Sequence, residues 1–235
     1  MSGMNVTEIL ARERTVEGLD LSGVALTGLL AAEPYVFRDC DLTRADLSEA
    51  DLVEHTFERC VLEKADFRGA DLEGARFDGG GGAAIRFDGA ELTDAVFTGA
   101  DLSGARFGNA LLTDTRFTGC RMIGVSLSAP RGTSFHLSRC NLTLADLSGC
   151  SFRKQEFDGV RLDEANLAAC DFTGAVFIDC RLIRARLVDT RFAGADLRGA
   201  DLGEIDDRQL RALAGAVVSP AQAASILATR GLTVL

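Results

Sequence analysis

The 235-residue sequence has no Trp, one Tyr, three Pro and two His. Aromatic binding boxes are therefore nearly excluded, and His55 and His136 are the whole supply of imidazole. No HExxH, CxxC, Walker or GxSxG pattern occurs, so the constellations that hold metals, phosphates or activated nucleophiles are missing. Ser134 or Ser138 could be drawn as a dyad with His136, but serines near a histidine in a turn-rich chain are expected by chance. No catalytic residue, metal site or cofactor is expected, and the protein is not read as an enzyme. Met1 to Arg14 lacks a charged-then-apolar leader, and no apolar run approaches a membrane span. These absences lead to the expectation of a soluble, cytoplasmic protein that contacts no membrane.

What is present is a step of five. From Ala65 to Phe77 the chain reads ADFRG ADLEG ARF, with a large apolar residue at every fifth position, here called i, and a small one at i−2. Between Phe37 and Leu202 there are 34 such i positions, of which 32 hold Leu, Phe or Met and only Gly82 and Gly132 fail. Period five is neither the 3.6 of a helix nor the 2 of a half-buried strand. The chain must bend once per repeat and stack its turns as a parallel β-solenoid.

The runs ADLSE ADL (Ala45 to Leu52), ADFRG ADLEG ARF and AGADLRGADL (Ala193 to Leu202) resemble the pentapeptide-repeat family. That resemblance implies a right-handed, four-sided β-helix with four repeats per coil, so residues twenty apart share a side. Phe57, Phe77, Phe97 and Phe117 should then form one stack and Phe67, Phe87 and Phe107 an opposite one. Phe152, Phe172 and Phe192 should stack on a different side.

Seven cysteines, Cys40, Cys60, Cys120, Cys140, Cys150, Cys170 and Cys180, all occupy i−2. They are read as buried small fillers rather than disulfides or metal ligands. Gly79 to Gly82 and Ala129 to Ser134 break the chemistry of the repeat without altering its frame, so each should distort one strand or lift it outward. Oversized or polar i−2 residues at His55, Phe135 and Gln155 share one side and should widen it.

Three segments are expected: residues 1–36 as an N-terminal cap with the first repeats, 37–204 as the repeat β-helix, and 205–235 as a helical module. In the first, a short helix over Asn5 to Arg14 is capped by Asn5, and a small loop at Leu29 to Pro34 absorbs one extra residue. In the last, Asp206 or Asp207 caps a helix through Ala214, and Ser219 and Pro220 start another through Thr229. Leu232 to Leu235 reads as a strand. This module resembles the one that caps the solenoid and makes a two-fold dimer in the fluoroquinolone-resistance (Qnr and MfpA type) pentapeptide proteins. The dimerisation residues are taken to be Leu210, Leu213, Val217, Val218, Ile226, Leu227, Leu232 and Val234.

Charge is unevenly spread. Residues 1–104 carry 21 acids and 9 bases, whereas residues 105–204 carry 12 and 13. From Phe37 to Gly104 the net charge is −9, roughly one negative charge per 1.8 Å of rod at the ~4.8 Å strand spacing, against ~1.7 Å for duplex DNA. Asp51, Glu54, Asp71, Glu73, Glu91, Asp94 and Asp114 gather on one side, and these are the expected partner-binding residues. Such a face attracts a basic groove built for phosphate and repels nucleic acid itself. The resemblance implies a DNA-mimicking binder of a type II topoisomerase, DNA gyrase, that modulates it or protects it from quinolone-like antibiotics. The alternative is a general interaction scaffold for another protein.

Overall fold

A large residue every fifth position and a small one two places before it can share one interior only if the backbone turns a corner in every repeat. The computed structural model describes residues 6–30, 33–127, 130–132 and 134–234 and has this form. Every i residue from Phe37 to Leu202 is buried except the two glycines. The corners fall at i+2, where eighteen of the described non-glycine residues take φ between 50° and 62° and glycine holds most of the rest. On three sides the i+3 N–H closes the corner onto the i carbonyl, as from Ala45 to Leu42 at 2.9 Å. With positive φ at the second central residue, these are type II turns.

On the fourth side the closing bond is missing and the backbone stays extended for three or four residues. There β1 (Thr15–Glu17), β2 (Val36–Arg38), β3 (Thr56–Glu58), β4 (Arg76–Asp78), β5 (Val96–Thr98), β6 (Thr115–Thr118), β7 (Phe135–Ser138), β8 (Glu156–Asp158) and β9 (Val176–Ile178) form a parallel nine-stranded sheet in sequence order. From β2 onward partners are twenty residues apart, as in Phe57 with Phe77. Between the second coil and the last full one the other sides are joined by single bridges with the same offset, apart from the short pair β10 (Cys180–Arg181) and β11 (Ala200–Asp201). Twenty residues per coil means four repeats per coil, the four-sided β-solenoid expected from the sequence.

The ring stacks form as expected. Phe57, Phe77, Phe97 and Phe117 stack at 4.8, 4.5 and 4.8 Å, and Phe67, Phe87 and Phe107 at 5.1 and 4.8 Å. The two columns meet edge to face, Phe77 against Phe87 at 5.8 Å and 89°, an arrangement favoured by ring quadrupoles. Phe152, Phe172 and Phe192 form the later stack at 5.2 and 5.1 Å. Phe135 meets Phe152 edge to face at 5.2 Å, and β7 meets β8 through one pair, Ser138 with Asp158.

Gly79 to Gly82 is not lifted outward. Gly81 still bridges Val61 on one side and Asp101 on the other. A Cβ at Gly80 would run into the Cys60 carbonyl, and one at Gly81 into that of Asp101, so only glycine fits this close approach. In the second interruption Arg131 still bridges Leu111; residues 128, 129 and 133 lie outside the described ones.

All seven cysteines are buried and none forms a disulfide. Their thiols donate to main-chain carbonyls of the coil below, as Cys120 to Phe97 O at 3.4 Å and Cys140 to Phe117 O at 3.3 Å. Thr115 uses the same acceptor geometry on Leu92 O at 2.7 Å. The site therefore asks for a small side chain with an optional weak donor. Cys120→Ala is expected to cost about 1 kcal/mol or less by chemical denaturation; a loss several times larger would contradict the filler role.

Buried His55 lies 5.6 Å from the Tyr35 ring, its Nδ1 3.1 Å from Val53 O and its Nε2 without a hydrogen-bond partner among the described residues. Burial pushes its pKa down, the nearby Val53 carbonyl and Asp51 only partly opposing it. The unfolded chain therefore binds this proton more readily, so the stability present above the ordinary histidine value of ~6.5 falls as pH drops through it. The melting temperature should decline between about pH 7 and 5.5, before most carboxylates titrate. His55→Leu should flatten that decline, and an unchanged pH profile in the variant would refute the assignment.

Helices pack on both ends of the solenoid. Helix α1 (Val6–Arg12) buries Leu10 completely, and the Tyr35 hydroxyl donates to Leu10 O at 2.8 Å; Asn5, the expected cap, lies outside the described residues. The first coil is offset by 21 from the second, Val16 facing Phe37. That places the extra residue between Leu26 and Phe37, where residues 31 and 32 are not described.

At the other end α2 (Asp207–Ala212) and α3 (Pro220–Ala228) begin at Asp206 and Ser219 in capping boxes completed by Gln209 and Gln222. Each glutamine also donates its Nε2 to the last coil, Gln209 to Ala185 O at 3.1 Å and Gln222 to Leu197 O at 2.8 Å. The ladder itself runs on to Val217, which pairs with Asp196. Residues 232–234 form no strand, contrary to the reading of that segment: their side chains are exposed, with no partner strand beside them among the described residues. Leu235 lies outside the described residues.

Candidate functional site: the acidic side and the C-terminal module

At i−1, Asp51, Asp71 and Glu91 lie in register in one parallel ladder that continues to Leu111 and Arg131. Glu54, Asp94 and Asp114 stand at the i+2 corners of the same side, at φ 59°, 57° and 55°. Glu73 projects between the two rows from i+1. The left-handed corner cannot aim a side chain into the packed interior, and i−1 alternates outward from the buried i. The repeat thus presents all seven carboxylates to solvent, five exposed and Asp71 and Asp114 half-buried. Asp51 and Asp71 also accept the N–H two residues on, from Val53 at 3.3 Å and Glu73 at 3.1 Å.

The other sides are largely self-neutralised. Along β2 and β3, Arg38 meets Glu58 and Arg59 meets Asp39, both at 2.6 Å, and the Arg59 guanidinium holds the Asp39 carboxyl below its ordinary value. On the opposite side Arg68 and Arg86 pair with Asp66, and Arg106 with Asp88. Among the described residues, by contrast, no ion pair reaches Asp51, Glu54, Asp71 or Glu73.

The later acids are different. Arg131 comes within 3.9 Å of Glu91 and Arg116 within 3.9 Å of Asp94. Asp114 faces His136 at 3.9 Å and accepts from Ser134 Oγ at 3.4 Å. Sequence reasoning missed this basic border, although Arg131 stands two coils above Glu91 and the step of twenty would have found it. The undiluted negative field therefore belongs to the coils of Asp51, Glu54, Asp71 and Glu73.

In the C-terminal segment the apolar residues divide. Leu210, Val217, Leu227, Leu232 and Val234 are exposed, between 36% and 56%. Val218 and Ile226 pack partly against the chain's own core, and Leu213 is inside it at 7% exposure. Leu213 closes the last coil and is therefore not available to a second molecule. Among the described residues no helix is long and apolar enough to cross a membrane.

Three solved structures of QnrB1, each described as a plasmid-mediated fluoroquinolone resistance protein, are similar to this chain. One trypsin-treated, singly substituted form matches with a TM-score of 0.65 and 21% identity, covering 94% of this chain and 98% of that one. A second such form, substituted at a different position, gives 0.65 and 23% over 94% and 97% of the two chains. The full-length form gives 0.63 and 20% over 93% and 100%. At such identities the likeness is one of fold. No curated protein matches by sequence. The family model for pentapeptide repeats matches residues 40–79 and 170–206, and that for a pentapeptide repeat region matches residues 90–167. Together with a four-sided solenoid of twenty-residue coils, these matches establish that the chain belongs to the pentapeptide-repeat family.

Proposed function

We propose that the side bearing Asp51, Glu54, Asp71, Glu73, Glu91, Asp94 and Asp114 occupies a basic groove built for duplex DNA, and that its owner is a type II topoisomerase such as DNA gyrase. The observation that carries this reading is the stack of carboxylates, unpaired in its lower coils, repeated at the strand spacing. A rigid rod of that charge density offers a phosphate-binding groove what a duplex does without being cut. The fold shared with QnrB1 supports the choice of partner. Residues 205–235 serve in this reading as a homodimerisation module beyond the repeat segment 37–204 and the N-terminal segment 1–36. The exposed Leu210, Val217, Leu227, Leu232 and Val234 supply its surface. The protein acts in the cytoplasm, without catalysis, and protects the enzyme from quinolone-like inhibitors or modulates it.

A general interaction scaffold is the second reading, favoured by exposed Val176 and Ile178 on β9, away from the acids. A supercoiling assay separates the two: the purified protein should inhibit gyrase, or relieve its inhibition by a quinolone, in the micromolar range. Neither effect is expected of a scaffold for another partner.

A further inference from the structure

The last coil is not covered evenly. In the coils below, the N–H groups at i and i+2 donate upward, Leu167 to Arg186 O and Ala169 to Val188 O. One coil higher, Leu187 and Asp189 have no such acceptor among the described residues, because the chain leaves the ladder at Gly203 to form α2 and returns only at Gly215 to Val217. Between this open edge and α2 lies a cleft of about 1050 Å³. Its walls carry Arg184, Arg186, Arg191, Arg208 and Arg211 against three acids, Asp189, Glu204 and Asp206, a local net +2 on a chain of net charge −10. Arg184 and Arg191 lean on Glu164 and Asp171 at 3.8 and 3.9 Å. Arg186, Arg208 and Arg211 are exposed and make no ion pair among the described residues.

We propose that this cleft binds an extended acidic peptide segment of a partner protein, which adds a short strand to the open edge of the last coil. Two alternate carbonyls of the segment take the Leu187 and Asp189 N–H groups, as a further coil would, and its carboxylates reach Arg186, Arg208 and Arg211. Unpaired edge donors seek such a strand, and guanidinium groups grip carboxylates through paired N–H donors. A peptide is favoured over nucleic acid because the edge asks for main-chain carbonyls at strand spacing and the rest of the rod repels polyanions. A second copy is disfavoured, since two-fold contact at the cleft would set arginines against arginines. This site stands apart from the acidic side and does not depend on the proposed topoisomerase.

The test is fluorescence anisotropy with a labelled peptide of alternating Glu and Val, about eight residues long to span one side and a corner, on the full chain. An oligothymidylate of matching charge and a Lys and Val peptide are run beside it. Saturable binding of the acidic peptide alone is expected, weakened about tenfold or more by Arg208→Glu with Arg211→Glu while the melting temperature holds. Arg186→Gln, which leaves α2 untouched, should weaken it less but measurably. No binding, binding unchanged in both variants, or equal binding of the oligothymidylate would overturn the proposal. A change of sedimentation in Arg186→Gln, which lies outside the module proposed to dimerise, would assign the cleft to self-association and overturn it too.

Discussion

Asp71→Lys combined with Glu91→Lys should abolish binding to gyrase while circular dichroism and melting stay close to those of the parent. The two residues are direct neighbours in one ladder, so the reversal places two cations at the centre of the row where a phosphate-binding groove would meet anions. Folding should tolerate the change because both side chains point outward from the coil. At Asp71 the substitution removes the hydrogen bond accepted from the Glu73 N–H, and surface changes of this kind alter stability by about 0.5 kcal/mol. The control should come from a coil of mixed charge. Asp171 is unsuitable, since it pairs with Arg153 at 2.9 Å and is buried enough to couple to the fold. Asp179 is exposed at an i+2 corner, and Arg59 and Arg139 already occupy the same column at φ 50° and 54°. Asp179→Lys should therefore fold and bind as the parent does. Equal binding by the double reversal and the parent would remove the acidic side from the interface.

Truncation after Gly203 should leave a monomer or an insoluble protein in light scattering, where the full chain is expected to be a dimer. The deletion removes the exposed apolar residues of the C-terminal module and also Ile205 and Leu213, which close the last coil. Because insolubility alone is ambiguous, Val217→Glu with Leu227→Glu gives a cleaner arm. Both residues are exposed, at 46% and 36%, so the monomer keeps its core, while a dimer interface would have to bury two charges. A soluble dimer of unchanged affinity in either variant would refute dimerisation through this module.

The solenoid was legible because its information is one-dimensional: a single spacing, repeated from Phe37 to Leu202, decides burial, stacking and coil length together. The same arithmetic placed the seven acids on one side, since outward positions inherit the frame of the buried ones. It did not show how far long arginine side chains reach between coils, which is why Arg116 and Arg131 were missed at the border of the site. Nor did the period extend past Leu202. There Asp206 and Ser219 announced their helices by local capping chemistry, but whether Leu213 turns inward or Leu210 outward depends on how the helices sit on the last coil. In the sequence the Gly79 to Gly82 run looks like a weakness in the wall, whereas its lack of side chains lets the backbone stay in the ladder between Val61 and Asp101.

A rod that takes the place of DNA must compete with DNA for gyrase. Binding of the labelled protein to gyrase is followed while linear duplex DNA is added, at fixed and then at rising salt. Mutually exclusive binding is expected: the apparent dissociation constant rises in proportion to DNA concentration, and affinity falls steeply with salt, as it does when opposed charge fields drive association. A ternary complex in which DNA and the protein occupy gyrase together without weakening each other would contradict it.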